Sequence, residues 1–172
     1  IGRSPQGSAP EADFTSVPFG TTILGAAKLT GKCGPSWNFG TMHALTSNED
    51  AKLETGALRS ESEVEPMTYY GVARGLREFK GRQHGLGVMS TVAERDFKSP
   101  TLRDQLNSRS VMAGLDGWTF LDKNQTWVIS GWSAMSHVQG NATRLSRLQR
   151  NSRHYFQRPD ADHVELDHDA TL

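Results

Sequence analysis

The stretch that most constrains this chain is residues 67–93, MTYYGVARGLREFKGRQHGLGVMSTVA. Two runs of about ten residues flank a turn-rich Lys80-Gly81-Arg82-Gln83-His84-Gly85, and in both runs side-chain character alternates with a period of two, as in strands with two unlike faces. In the first run Tyr70, Val72, Arg74, Leu76 and Glu78 share a face against Tyr69, Gly71, Ala73, Gly75 and Arg77. In the second, Leu86, Val88, Ser90 and Val92 oppose Gly87, Met89, Thr91 and Ala93. Neither run has the three- and four-residue apolar spacing of an amphipathic helix. An antiparallel hairpin is expected here.

The same pattern recurs on both sides. Residues 1–20 hold three of the seven prolines and no periodicity, which predicts an extended lead-in. Residues 21–30 and 36–46 alternate around the turn Gly31-Lys32-Cys33-Gly34-Pro35 and predict a first hairpin. Residues 111–121 and 126–138 predict a third, around Asp122-Lys123-Asn124-Gln125. Residues 47–66, with five Glu and one Asp, and residues 96–110 read as long polar loops. The domain reading is therefore a lead-in (1–20), a hairpin region of about six strands (21–138), and a charged loop or short helix with an acidic tail (139–172).

Short turns at one end and long loops at the other is the asymmetry of transmembrane barrels, and Trp37, Tyr69, Tyr70, Trp118, Phe120 and Trp127 near strand ends suit interfacial girdles. A soluble β-sandwich uses the same alternation. Composition matters at this point. Only 35% of residues are hydrophobic and mean hydropathy is −0.56, which suits strands that bury every second side chain. Net charge is zero, so no global field attracts nucleic acid. No apolar run reaches the ~18–20 residues of a spanning helix. Cys33 is alone, which excludes an internal disulfide, and there is no CxxC and no Cys/His set at zinc-finger spacing. No signal peptide is visible; the opening at Ile1 reads as a processed or excised start.

Four strings carry a family likeness: IGRSPQG (1–7), TTILGAAKLTGK (21–32), EPMT (65–68) and YFQRPDADH (155–163). On them the chain resembles the C-terminal region of uncharacterised bacterial outer-membrane proteins whose N-terminal domain is similar to family 9 carbohydrate-binding modules. The resemblance implies part of an outer-membrane-type β-barrel, with further strands after Leu172 and the carbohydrate-binding-like domain before Ile1. It implies no catalytic residues.

No motif selects an enzyme. There is no G-x-S-x-G elbow, and Gly85-Leu86-Gly87 lacks the third glycine and following helix of a nucleotide site. Arg144, Arg147, Arg150 and Arg153 recur every third residue and are candidates for phosphate groups, for instance on lipopolysaccharide, with pairing to acidic segments of the chain as the alternative. Asp160, Asp162 and His163 are candidate ligands for a hard cation, against a solvated acidic run. Arg74, Glu78, Asp116 and His137 fall within strands and, on a barrel, are expected to face the lumen.

The reading is an all-β antiparallel fold forming part of an outer-membrane barrel, non-enzymatic and without a cofactor, in a structural, transport or surface-binding role. Its expected partners are the membrane, a larger assembly, the rest of its own barrel, or a glycan, and not nucleic acid. The alternatives are a soluble, periplasmic β-sandwich binding module, or an accessory subunit that pairs through its strand edges.

Overall fold

The computed structural model describes residues 2–151. The chain is all-β with antiparallel sheets. Strands β1 (Phe14–Ser16), β2 (Ile23–Cys33), β3 (Trp37–Thr46), β4 (Glu49–Thr55), β5 (Leu58–Glu65), β6 (Met67–Phe79), β7 (His84–Asp96), β8 (Arg109–Phe120) and β9 (Val128–Gln139) are joined by helices α1 (Pro100–Arg103) and α2 (Ala142–Gln149). Six of the strands form one sheet in the order β2-β3-β6-β7-β8-β9, and β1-β4-β5 form a second. The large sheet is an up-and-down meander into which the β4–β5 hairpin is inserted. Among the described residues it does not close: β2 and β9 each have one neighbour.

The three hairpins expected from the alternation are present, and in the first two the ladder runs into the expected turn, to Cys33 in β2 and from His84 in β7. β6 and β7 pair along thirteen residues each, leaving residues 80–83 as the turn, where Lys80, Gly81 and Arg82 all take positive φ. The β8–β9 turn is tied by Asp122, whose Oδ1 accepts the backbone N–H groups of Thr126 and Trp127, both at 2.9 Å. Those donors, Trp127 foremost, hold the Asp122 carboxyl below its ordinary range. A depressed carboxylate stabilises the turn above the unfolded value near 3.9, and that contribution is lost as pH falls through the lower folded value. The Thr126 and Trp127 amide resonances should therefore titrate together, with an apparent pKa below that of an ordinary aspartate, and Asp122→Asn should abolish the titration.

Three expectations are corrected. Residues 47–66 are not a structureless loop. They form the β4–β5 hairpin, whose two-residue turn opens on Gly56 at φ 60°, as a type II′ turn requires at its first central position. The lead-in is not wholly irregular either: β1 pairs with β4, and the Gly7 N–H donates to Val64 O. Residues 96–110 are polar in composition yet carry α1 and a buried cluster of Phe97, Leu102 and Leu106.

Burial is concentrated at the loop end of the large sheet. Ala51, Leu53, Val64, Phe97, Leu102, Leu106 and Leu145 are buried there, around the lead-in, the β4–β5 hairpin, α1 and α2. This cap closes on carboxylates as well as on apolar side chains. Glu65 Oε2 accepts the Gln6 N–H at 2.7 Å, and Glu63 accepts the N–H groups of Lys98 and Ser99 just before α1. The acidic residues that make 47–66 look like a loop include the two that anchor it.

Candidate membrane-facing surface

The register fixes two faces across all six strands, because cross-strand partners point the same way. One face, here the outer face, presents Ala27 and Leu29 on β2, Phe39 and Thr41 on β3, Ala73 and Gly75 on β6, Val88 and Ser90 on β7, Ala113 and Leu115 on β8, and Ser133 and Met135 on β9. The middle of this face carries no charge. Its charged residues stand only at the ends: Arg77 toward the turns, and Glu94, Asp96 and Arg109 toward the cap. Along β6 from Tyr69 to Arg77 there are eight residue steps, about 27 Å of strand. At the tilt of barrel strands, about 35–45°, that stretch would span about 19–22 Å of height, slightly less than the apolar band of about 25 Å.

This band is exposed. Leu115 is 55% and Met135 74% accessible, and Leu29, Phe39, Leu86, Val88 and Ile129 are exposed with them. A shallow trough of about 720 Å³ runs across it, floored by Ala73, Gly75 and Ala113 and walled by Phe39, Leu115 and Met135. Three polar side chains of this face, on β3 and β6, are linked to one another. Thr41 Oγ1 donates to Val72 O at 3.0 Å and lies 2.8 Å from His43 Nε2, while the Tyr69 hydroxyl lies 2.6 Å from His43 Nδ1. Since Thr41 has spent its only proton on Val72, His43 Nε2 is the donor to Thr41 Oγ1.

The opposite, inner face is charged at mid-height. Lys28, Arg74 and Asp116 all lie on it. Arg74 and Asp116, on β6 and β8, form a two-pronged ion pair with both N–H···O distances 2.8 Å, reaching across β7. The crossing is possible because Gly87 lies beneath it: a Cβ there would sit 2.6 Å from Asp116 Oδ1 and 3.0 Å from an Arg74 nitrogen. The Trp118 ring likewise covers Gly85, where a Cβ would fall 2.3 Å from ring carbon. Gly87→Ala should force the ion pair open and cost about 0.5–1 kcal/mol, the modest figure reflecting a half-exposed pair. A denaturant titration checks it, and combining Gly87→Ala with Asp116→Asn should add nothing further.

Arg74, Glu78 and Asp116 share the inner face as expected. His137 does not: it pairs with Val111 on the outer face, near the cap border, beside Gln139. It stands level with Val92 and Val111, one outward-facing row inside the charged border formed by Glu94 and Arg109. The arginine candidates part company. Three-residue steps on an α-helix rotate a row by about 60° each. Arg144 is half-buried, with Nε donating to Asn107 Oδ1 at 2.7 Å, while Arg147 and Arg150 are exposed at the far end of α2. Burial first, and then repulsion from Arg95 and Arg147, lowers the Arg144 pKa. Arg95, on the inner face, donates to Asn107 O at 2.9 Å, so one asparagine holds two guanidinium groups. Arg153 and the candidate ligands Asp160, Asp162 and His163 lie outside the described residues. Among the described residues no group of three His, Cys, Asp or Glu side chains is placed to hold a metal ion, and no helix is long and apolar enough to cross a membrane.

No protein-family model, no curated protein and no solved structure matches the chain.

Proposed function

We propose that this chain is a wall segment of an outer-membrane-type β-barrel, non-enzymatic, with a structural, transport or surface-binding role in the bacterial outer membrane. One observation carries the reading: across six strands the mid-height charges all lie on one face, while the other presents an exposed, uncharged band bounded by charge at both ends. Hydrocarbon accepts such a band and penalises a charge within it by about 2–4 kcal/mol, whereas a water-filled lumen accepts Arg74 and Asp116. A β-sandwich would cover the apolar face with its second sheet. Here β1-β4-β5 belongs to the cap, and Leu115, Ile129 and Met135 stay bare. Closure needs at least eight strands, so the free edges of β2 and β9 take further strands, from this chain or another.

Fractionation of the native source tests the proposal. The protein should sediment with outer membranes, resist extraction by alkaline carbonate and require detergent for release. Recovery as a monodisperse species in the soluble fraction, without detergent, would overturn it.

A further inference from the structure

We infer that Arg77 is a binding site for the phosphate of a membrane phospholipid, in the leaflet on the turn side of the sheet. The inference deepens the proposed function and rests on the outer face meeting lipid. Arg77 is the charged residue that ends the uncharged band at the turn end, directly opposite Trp37 on β3 and Leu86 on β7. Its guanidinium carbon lies 5.3 Å from the centre of the Trp37 ring and 4.7 Å from that of Phe79. These contacts engage the π-faces of the rings and hold the cation at the border. They leave its N–H groups without a partner: among the described residues Arg77 makes no ion pair and no side-chain hydrogen bond.

The nearby Arg82 differs. It pairs with Glu78 at 3.6 Å, and Glu78 belongs to the inner face. An arginine held by aromatic rings, exposed, unneutralised and level with the end of an apolar band stands where phospholipid phosphates lie. Its planar fork matches two phosphate oxygens, which a lysine does not. The other border disfavours the same ligand, because there the outer face presents Glu94 and Asp96 beside Arg109.

The test is solid-state NMR of the full chain, ¹⁵N-labelled at arginine side chains, in phosphatidylcholine–phosphatidylglycerol vesicles and a phosphate-free buffer. Dephasing of guanidinium ¹⁵N by lipid ³¹P is the readout. The Arg77 signal, isolated by difference from Arg77→Gln, should be dephased and the Arg74 signal should not. Arg77→Lys keeps the charge and serves as the second variant if Arg77→Gln fails to insert; it too should lose the arginine dephasing. Absence of dephasing at Arg77, with acyl-chain contacts still present at Leu115, would overturn the Arg77 site and leave the lipid-facing surface standing. Absence of both would overturn both. Dephasing that appears only in detergent with added inorganic phosphate would mark a free-phosphate site and refute the lipid assignment.

Discussion

Leu115→Arg should cost about 2–4 kcal/mol of folding free energy in lipid vesicles, while Ala134→Arg should cost less than about 1 kcal/mol. The two positions lie on adjacent strands at nearly the same height. Leu115 faces outward opposite Ser133, and Ala134, one residue further along β9, faces inward opposite Gly114. Both are exposed, so neither arginine displaces a packed core. In water the two substitutions would therefore be nearly equal, each within about 0.5 kcal/mol of neutral. Only a solvent that differs between the faces separates them. On the proposed placement, hydrocarbon on the Leu115 side would penalise desolvation of a guanidinium, whereas water on the Ala134 side would solvate it alongside Arg74 and Asp116. Denaturant unfolding from phosphatidylcholine vesicles, read by tryptophan fluorescence, measures the difference. Equal costs would argue that both faces meet the same medium.

Leu102→Ala should cost about 2–4 kcal/mol, and the loss should fall on the cap rather than on the sheet. Leu102 is 1% exposed, joins Phe97 and Leu106, and packs so closely on the lead-in that a Cβ at Gly7 would overlap its Cδ1. Truncation leaves a cavity between α1, β5 and the lead-in, where collapse is limited because Glu63, Glu65 and Gln6 are hydrogen-bonded in place. The large sheet depends on its ladders and not on this cluster. Hydrogen exchange should show lost protection at Gly7 and in residues 97–106, with the β6–β7 amides unchanged. Equal loss in both regions would show that cap and sheet unfold as one unit.

The large sheet was legible because its strands alternate strictly and end in glycine-rich turns, so residues 67–93 announce themselves without any tertiary knowledge. The cap was not. β5 reads LRSESEVE, and its apolar residues Leu58 and Val64 are too few to show a period. Leu102 and Leu106 stand four apart, but Phe97 lies five residues before Leu102 and only four residues between them are helical, too few to show a helical period. What makes 47–66 fold is the use of Glu63 and Glu65 as acceptors for backbone N–H groups, a role that composition disguises as solvation.

The candidate surface was legible in part. Alternation alone gives each strand two faces, but which faces align across six strands is a matter of register. Arg74 and Asp116 are 42 residues apart, and only the pairing of β6, β7 and β8 brings them together over Gly87. Register also places His137 outward. The Arg77 contacts with Trp37 and Phe79 were hidden likewise, since Trp37 lies in another hairpin.

The most direct test of the proposed lipid-facing surface is a nitroxide scan along residues 86–93 of β7, in a Cys33→Ser background, with the protein in bilayers. Collision rates with oxygen and with a water-soluble nickel complex are compared at each position. Leu86, Val88, Ser90 and Val92 should favour oxygen, most strongly near Val88 and Ser90, with Gly87, Met89, Thr91 and Ala93 alternating against them. Nickel accessibility at Val88 and Ser90 equal to that of their inner-face neighbours would contradict a lipid-facing wall.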